Sequence, residues 1–373
     1  LKNIFLLINK FIAERLSMIK GKELLEFYKG KKVLVTGSTG FKGAWLSLML
    51  HTAGAQVCGY ALRPDNTQLL FKKLELEKNI KQIYSDIRNF EKLAEVFNTE
   101  KPEFVFHLAA QPLVRESYLE PRYTFEANVM GTVNILECIR QSGSVKSFLN
   151  VTTDKVYDNK EVDAGYKEED RLDGYDPYSN SKSCSELVTH SYAKSFLYEE
   201  KCAVSTARAG NVIGGGDYAK DRIIPDCVRA AVESKSIIIR NPDSIRPYQH
   251  VLEPLYVYLM IAANQDSKQS LCGSYNVGPD EADCESTLNL VKLFCDNWGE
   301  GMDYTVQPDG GPHEAGFLKL DCTKLKTVFD WKPVYNIKEA VCKTVEWHKR
   351  LIKGEQAEAI CISQIKEFYN LLL

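Results

Sequence analysis

Apolar positions in the first two hundred residues follow two alternating rhythms. Short strand-like runs stand at Lys32–Thr36, Gln56–Ala61, Lys81–Tyr84, Glu103–Leu108, Ser147–Thr152 and Ala203–Ala207, several of them nearly unbroken in apolar residues. A run such as Phe104-Val105-Phe106 has no polar face to turn to solvent, so both its faces must be buried. Between these runs, Phe41–Thr52, Asn89–Asn98, Pro121–Ser142 and Pro177–Tyr198 read as helices. Strand and helix in alternation predict the α/β class, a doubly wound parallel sheet with helices on both faces. Ligands in such a sheet bind beyond the carboxyl ends of the strands.

After Arg208 the rhythm breaks. Asn211-Val212-Ile213-Gly214-Gly215-Gly216-Asp217 reads as loop, followed by a short helix and the strand Ile237–Ile239. Loops rich in Pro and Gly follow at Asn241–Pro247 and Gln307–Pro312. We therefore expect a Rossmann-type dinucleotide-binding unit over 18–208, to which 249–280 returns. A smaller mixed α/β substrate-binding lobe is expected from 209–248 and 281–353, with a C-terminal helix over 354–373. The segment 1–17 carries the apolar run Ile4-Phe5-Leu6-Leu7-Ile8, broken by Asn9 and Lys10, too short to span a membrane. Met18 is the expected natural start and 1–17 a dispensable extension, a peripheral membrane helix being the alternative.

Composition narrows the function classes. With 47 Lys and Arg against 50 Asp and Glu, the formal charge is −3, which offers no basic field for nucleic acid. Eleven cysteines are scattered without a C-x-x-C pair, and six histidines include no H-E-x-x-H, so no metal site is expected. Reduced thiols packed as small hydrophobes in a cytoplasmic protein fit this usage.

Two patterns carry chemistry. The first is T-G-x-x-G-x-x-G at Thr36–Gly43, between a strand and a helix. Gly37 permits a tight turn, Gly40 lets the backbone approach a pyrophosphate, and Gly43 lets helix pack on strand. The phosphates then meet a helix N-terminus. After the second strand, Arg63 stands where an acid for the adenosine ribose is usual. It can favour a 2′-phosphate, stack on adenine or pair with Asp65, so spacing alone leaves NAD and NADP open. Asp86 and Ile87 follow the third strand, where the acid suits an adenine amine, and Ala109-Ala110 leaves room for the cofactor. Thr39, Phe41, Lys42, Leu108 and Asn128 complete the cofactor-side set.

The second pattern is Thr152-Thr153-Asp154-Lys155, followed downstream by Tyr178 and Lys182 at i and i+4 of one helix. A free phenol ionises near ~10, so a tyrosine base needs a neighbouring cation. Lys182 is placed to supply one and Thr153 to share the substrate proton.

Several longer motifs accompany these patterns: Thr39-Gly40-Phe41-Lys42-Gly43, His107 to Arg115, Gly174-Tyr175-Asp176-Pro177-Tyr178, Ala209 to Asp217, Ile245 to Val251, and Pro312-His313-Glu314-Ala315 with Leu318-Lys319-Leu320-Asp321. With them the chain resembles the extended short-chain dehydrogenases/reductases from about Lys31 to Arg350. Within these it is most similar to the sugar nucleotide 4,6-dehydratases of the CDP-glucose group. That group carries Asp-Lys where dTDP-glucose and GDP-mannose relatives carry Asp-Glu. Ser38 replaces a frequent histidine of the group, and Thr153 and Val156 replace a common Ser and Cys.

The resemblance implies NAD as cofactor and dehydration of CDP-glucose to CDP-4-dehydro-6-deoxyglucose, in deoxysugar biosynthesis for surface polysaccharide. It implies Tyr178 as base at the C4 hydroxyl, with Thr153 and Lys182 in support, Asp154 as acid at the C6 hydroxyl and Lys155 as base at C5. A lysine base must be largely neutral, which takes burial or nearby cations. Arg222 and Arg246 are candidates for the pyrophosphate, and Gln111, Asn211, His313 and Glu314 for other substrate contacts. A homodimer or tetramer is implied, pairing Pro121–Ser142 and Pro177–Tyr198 across a seam of Val129, Val133 and Leu136. A 4-epimerase, or a dehydratase for a dTDP-, GDP- or UDP-sugar, is disfavoured by Asp154-Lys155 and by Gly214–Asp217. A catalytically silent NAD-binding protein is disfavoured by the intact Thr153, Tyr178 and Lys182.

Overall fold

Seven strands, β1 (Lys32–Thr36), β2 (Gln56–Ala61), β3 (Lys81–Tyr84), β4 (Phe104–His107), β5 (Ser147–Val151), β6 (Ala203–Ala209) and β7 (Gly273–Val277), make one sheet. The computed structural model describes residues 18–65, 68–299, 301–308 and 316–372, so the 1–17 extension and the candidates His313 and Glu314 lie outside the described residues. The strand order is β7-β6-β5-β4-β1-β2-β3 and every pairing is parallel. β5 and β6 are buried along their whole length, as uninterrupted apolar runs require. The chain leaves β1 in one direction and returns at β4 on its other side, so a crevice opens where these two strands end.

Helices cover both faces. On one, Leu34, Val105 and Phe148 pack with Leu93, Phe97, Ile135 and Ile139 of the helices Phe90–Glu100 and Gly131–Ser142. On the other, Val33, Val35 and Phe106 meet Trp45 and Leu48 of Phe41–Thr52 and the helix Leu252–Ser267, which is apolar nearly all round and buried to match. The helix Ala357–Leu371 joins this layer through Ile360, Ile365 and Phe368.

A second core lies beyond the strand ends. Ile224 and Val228 of Ile223–Val232, Leu290 and Phe294 of Thr287–Trp298, and Ile337 and Val341 of Ile337–Ile352 enclose Ile237 and Ile239. The last helix crosses between cores, its Trp347 packing in the sheet layer. The two units therefore share an element and hold the crevice between them. A small cluster of Val156, Tyr157, Tyr166 and Leu318 ties the segment after β5 to the lobe.

The helix from Pro121 to Ser142 is continuous, with one wider turn at Glu126–Met130. Leu136 has no exposed surface and belongs to the protomer core, so it is not a seam residue; Phe125, Met130, Leu187 and Phe196 are exposed apolar side chains of the predicted helices Pro121–Ser142 and Pro177–Tyr198. Among the described residues no helix is long and apolar enough to cross a membrane, and no group of three His, Cys, Asp or Glu could hold a metal.

Candidate active site

The turn after β1 is shaped by contact with β4. Gly37 has φ +71°, and a Cβ there would stand 2.8 Å from the Ala109 nitrogen. The Thr36 hydroxyl accepts from the Leu108 and Ala109 N–H groups, each at 3.2 Å, and bonds His107 Nδ1 at 2.8 Å. A Cβ at Gly43 would fall 2.0 Å from the Gly37 carbonyl, so helix and turn close on one another. At Gly40 the nearest atom to such a Cβ is that same carbonyl, at 3.3 Å. No side chain caps the helix that starts there, which leaves its first N–H groups for an anion. This cradle fits a dinucleotide diphosphate.

Farther along the crevice, Thr39 donates to the Leu62 carbonyl at 3.1 Å, and the Arg63 guanidinium lies 4.6 Å over the Tyr84 ring. Asp86 is engaged by Arg88, through its main chain at 2.9 Å and its side chain at 2.9 and 3.1 Å. Burial raises the Asp86 carboxyl, but these bonds outweigh it and hold it below the usual range. Ser38 is fully buried and donates to Gln82 at 2.9 Å, against Gly59. Ile87 packs in the sheet core and also meets Gly131.

The opposite wall starts where β5 ends. Thr153 is extended and leads into a short turn, Asp154–Val156. Tyr178 stands at the start of the helix Pro177–Tyr192, capped by Asp176, which accepts from the Ser179 N–H at 3.0 Å and its hydroxyl at 2.5 Å. Burial pushes the Tyr178 phenol up to about 12, against the Thr153 hydrogen bond and the Arg222 charge, which lower it. Burial pulls Lys182 down to about 8, and its ammonium donates to the Val151 carbonyl at 3.1 Å.

Asp154 has no exposed surface. Its Oδ1 accepts from the Thr153 hydroxyl and from Lys155 Nζ, both at 2.9 Å, while Oδ2 is buried without a hydrogen-bond partner. Lys155 also donates to Asn211 Oδ1 at 3.2 Å. It is thus an ion-paired lysine. Lys42, like Lys182, is pushed down by its surroundings. Burial first, then the charges of Lys182 and Arg222, lower Lys42 to about 7.

A cleft of about 750 Å³ brings Phe41, Lys42, Thr153, Lys155, Tyr178 and Asn211 together with Arg222 and Arg246. Arg222 pairs with Asp217 at 3.1 Å. A smaller hollow of about 370 Å³ adjoins it and shares Lys155 and Arg246. Two candidates turn inward instead. Gln111 donates to Thr124 at 2.9 Å and accepts from the Leu113 N–H at 2.6 Å. Asn128 accepts from the Gln111 N–H at 2.8 Å and donates to Ser181 at 2.8 Å. Both order the turn after β4, beside Ala110, rather than line the cleft.

Beneath the catalytic wall lies a pair that sequence reasoning missed. Glu186 accepts from Arg208 Nε and Nη2, each at 3.1 Å, and from Thr152 at 2.5 Å and Thr206 at 2.7 Å. Arg208 reaches on to Tyr157 at 2.8 Å. The available signal was Glu186 standing four residues after Lys182 on one helix face.

The family model described as GDP-mannose 4,6 dehydratase matches residues 34–344. The chain is 46% identical over 350 residues to the CDP-glucose 4,6-dehydratase of Salmonella typhimurium, covering 92% of this chain and 98% of that protein. It is 27% identical to the CDP-paratose 2-epimerase of Salmonella typhi, covering 85% of this chain and 98% of that one. In fold it is similar to the dTDP-glucose 4,6-dehydratase of Bacillus anthracis in complex with NAD, with TM-score 0.72 and 22% identity over 88% of this chain and all of that one. The UDP-glucose 4-epimerase of Thermotoga maritima has TM-score 0.74 at 22% identity, covering 86% and 99%. The chain belongs to the GDP-mannose 4,6 dehydratase family, a branch of the extended short-chain dehydrogenases/reductases.

Proposed function

We propose that this protein is an NAD-dependent 4,6-dehydratase that converts CDP-glucose to CDP-4-dehydro-6-deoxyglucose. The observation that carries the reading is the hydrogen-bonded run Thr153–Asp154–Lys155 beside Tyr178, at a cleft that reaches Phe41 and Lys42 at the start of the helix after the glycine turn. The 46% identity to a CDP-glucose 4,6-dehydratase supports the choice of nucleotide.

The C6 hydroxyl is a poor leaving group and C5–H is not acidic until C4 is a ketone. The glycine turn Gly37–Gly43 would hold NAD, which would supply the hydride chemistry, an acceptor for C4–H and a donor for C6. Tyr178 takes the C4 hydroxyl proton; burial holds its phenol up, and Thr153 and the Arg222 charge act against that. Lys155, on the cleft wall, takes the C5 proton, and the Asp154–Lys155 pair supplies a proton to the departing C6 oxygen. Arg222 and Arg246 suit the diphosphate as planar donors. Asn211 serves by holding Lys155. The exposed Phe125, Met130 and Leu187 suit a homodimer built on the two long helices, in a cytoplasmic enzyme.

Incubation with CDP-, dTDP-, UDP- and GDP-linked hexoses tests the reading. CDP-glucose is expected to give the highest specificity constant and a 4-keto-6-deoxy product. A higher value for the dTDP sugar would reassign the nucleotide, and no keto product from any of them would reject the dehydratase.

A further inference from the structure

The catalytic turn Thr153–Asp154–Lys155 is flanked on both sides by residues bonded to one buried ion pair. Glu186 has no exposed surface and Arg208 has 1%. Before the turn, the Thr152 hydroxyl donates to Glu186 Oε1 at 2.5 Å. After it, Arg208 Nη1 donates to the Tyr157 hydroxyl at 2.8 Å, with the guanidinium 5.0 Å from the ring centre. The pair itself is a fork, Arg208 Nε to Glu186 Oε1 and Nη2 to Oε2, each at 3.1 Å. The main chain is gripped in the same places. Lys182 donates to the Val151 carbonyl at 3.1 Å, and Ser183 donates to the Val156 carbonyl at 2.7 Å.

Two ionised side chains out of water need their donors and acceptors filled. Thr206 donates to Glu186 at 2.7 Å, and the Glu168 carbonyl accepts from Arg208 at 2.9 Å. Thr152 and Tyr157 supply the rest, so releasing either one takes a bond from a buried charge. The Tyr157 hydroxyl also donates to Asn276 at 2.5 Å and is thus held from two sides. A buried ion pair is often no more stabilising than apolar side chains of the same volume, so stability alone does not account for this one. Its position does.

We propose that Glu186 and Arg208 are positioning residues that set the elimination groups against the oxidation groups. Glu186 stands on the helix that carries Tyr178 and Lys182, one turn beyond the lysine. Arg208 stands on β6, which pairs with β5, the strand from which the turn issues. The pair therefore ties helix, strand and turn together, and Tyr157 carries that tie to the Lys155 end. Both halves of the proposed reaction use the same bound sugar. Hydride leaves C4 beside Tyr178, and a proton leaves the adjacent C5 beside Lys155. A turn free to shift would serve one carbon and miss the other, and a misplacement of about 1 Å can lower a rate by ~10²-fold. Glu186 and Arg208 act only through Thr152 and Tyr157.

This role rests on the dehydratase reading, and the wild type is the control that separates the two. NAD-loaded protein is mixed with CDP-glucose in deuterated solvent, and NADH absorbance, deuterium at C5 and keto product are followed. Tyr157→Phe removes the acceptor of the Arg208 bond while keeping the ring and the ion pair. It should form NADH at the wild-type rate, yet take up C5 deuterium and make product about 10-fold more slowly, so that NADH accumulates. Any other pattern, whether equal slowing of NADH and product or no slowing of either, would leave the pair a support of the fold alone and overturn the proposal. Thr152 provides the second readout if the phenylalanine variant does not fold. Thr152→Val should lower kcat about 10-fold with KM for CDP-glucose unchanged, and Thr152→Ser, which keeps the hydroxyl, should restore it. A serine variant as slow as the valine one, a valine variant as fast as wild type, or a change confined to KM would also overturn it. If the wild type forms neither NADH nor keto product from CDP-glucose, the dehydratase reading falls and the positioning role with it.

Discussion

The two walls of the cleft are made of different material. On the β1 side, Phe41 and Lys42 reach the cleft from a cradle made of main chain: the Gly37 turn, the open space at Gly40 and the uncapped start of Phe41–Thr52. On the β5 side, side chains form it: Thr153, Lys155 and Tyr178, with Asp154 buried behind them. A wall of backbone fails when its shape changes, and one of side chains fails when a proton or charge is lost. The first depends on sterics within a few residues. The second depends on which groups the fold brings within hydrogen-bond range.

The largest effect should come from the side-chain wall. Tyr178→Phe should lower turnover by about 10³-fold or more while thermal unfolding stays near wild type. Loss of activity accompanied by a large fall in Tm would mean the phenol is structural, and would erase the contrast between walls.

Lys155→Met should divide the reaction, with overall turnover down about 10²-fold. NADH absorbance should still rise on adding CDP-glucose, but water release and uptake of solvent deuterium at C5 should stop. Normal deuterium uptake would point to another C5 base.

On the backbone wall, Gly43→Ala and Gly40→Ala should diverge. The first puts a methyl against the Gly37 carbonyl and should cost about 2 kcal/mol of stability by urea unfolding. The second meets only one neighbour, at 3.3 Å, so it should fold normally yet bind NAD more weakly by calorimetry. Equal behaviour of the two would mean that Gly40 does not face the cofactor.

The smallest effect concerns Lys42, which stands where the walls meet. Its value in the fold is about 7, below the 10.5 of the free side chain, so the unfolded chain binds more protons between these values. Stability from this group therefore rises with pH from about 7 to about 10.5, and its penalty is fully present below 7. Lys42→Met should stabilise the protein by about 1 kcal/mol at pH 6.5, with the gain fading by pH 10. A gain that does not change with pH would show that Lys42 carries no such strain.

Much of this was legible before any coordinates. β1 and β2 have the bounds their apolar runs predict, because strands buried on both faces need uninterrupted apolar residues. β3, a partly exposed edge strand, also has its expected bounds. Tyr178 and Lys182 share a helix face by spacing alone. What stayed hidden were partners distant in sequence. Asn211 lies 56 residues from the Lys155 it holds. Gln111 and Asn128 carry polar groups that look free in the sequence and are consumed by each other, Thr124 and Ser181. Leu136 reads as a residue of the dimer seam and lies in the core of the protomer.

The residues alone specify the alternation of strand and helix, the glycine turn and the register of the phenol over its lysine. Steric and helical rules act over a handful of neighbours in the chain, so those neighbours suffice. Tertiary structure decides that Lys42 and Lys182 are pushed down, that Lys155 is ion-paired, and that Asp154 lies buried between Thr153 and Lys155. Desolvation and charge sum over everything within about a Debye length, ~10 Å, and only the folded chain determines what stands there.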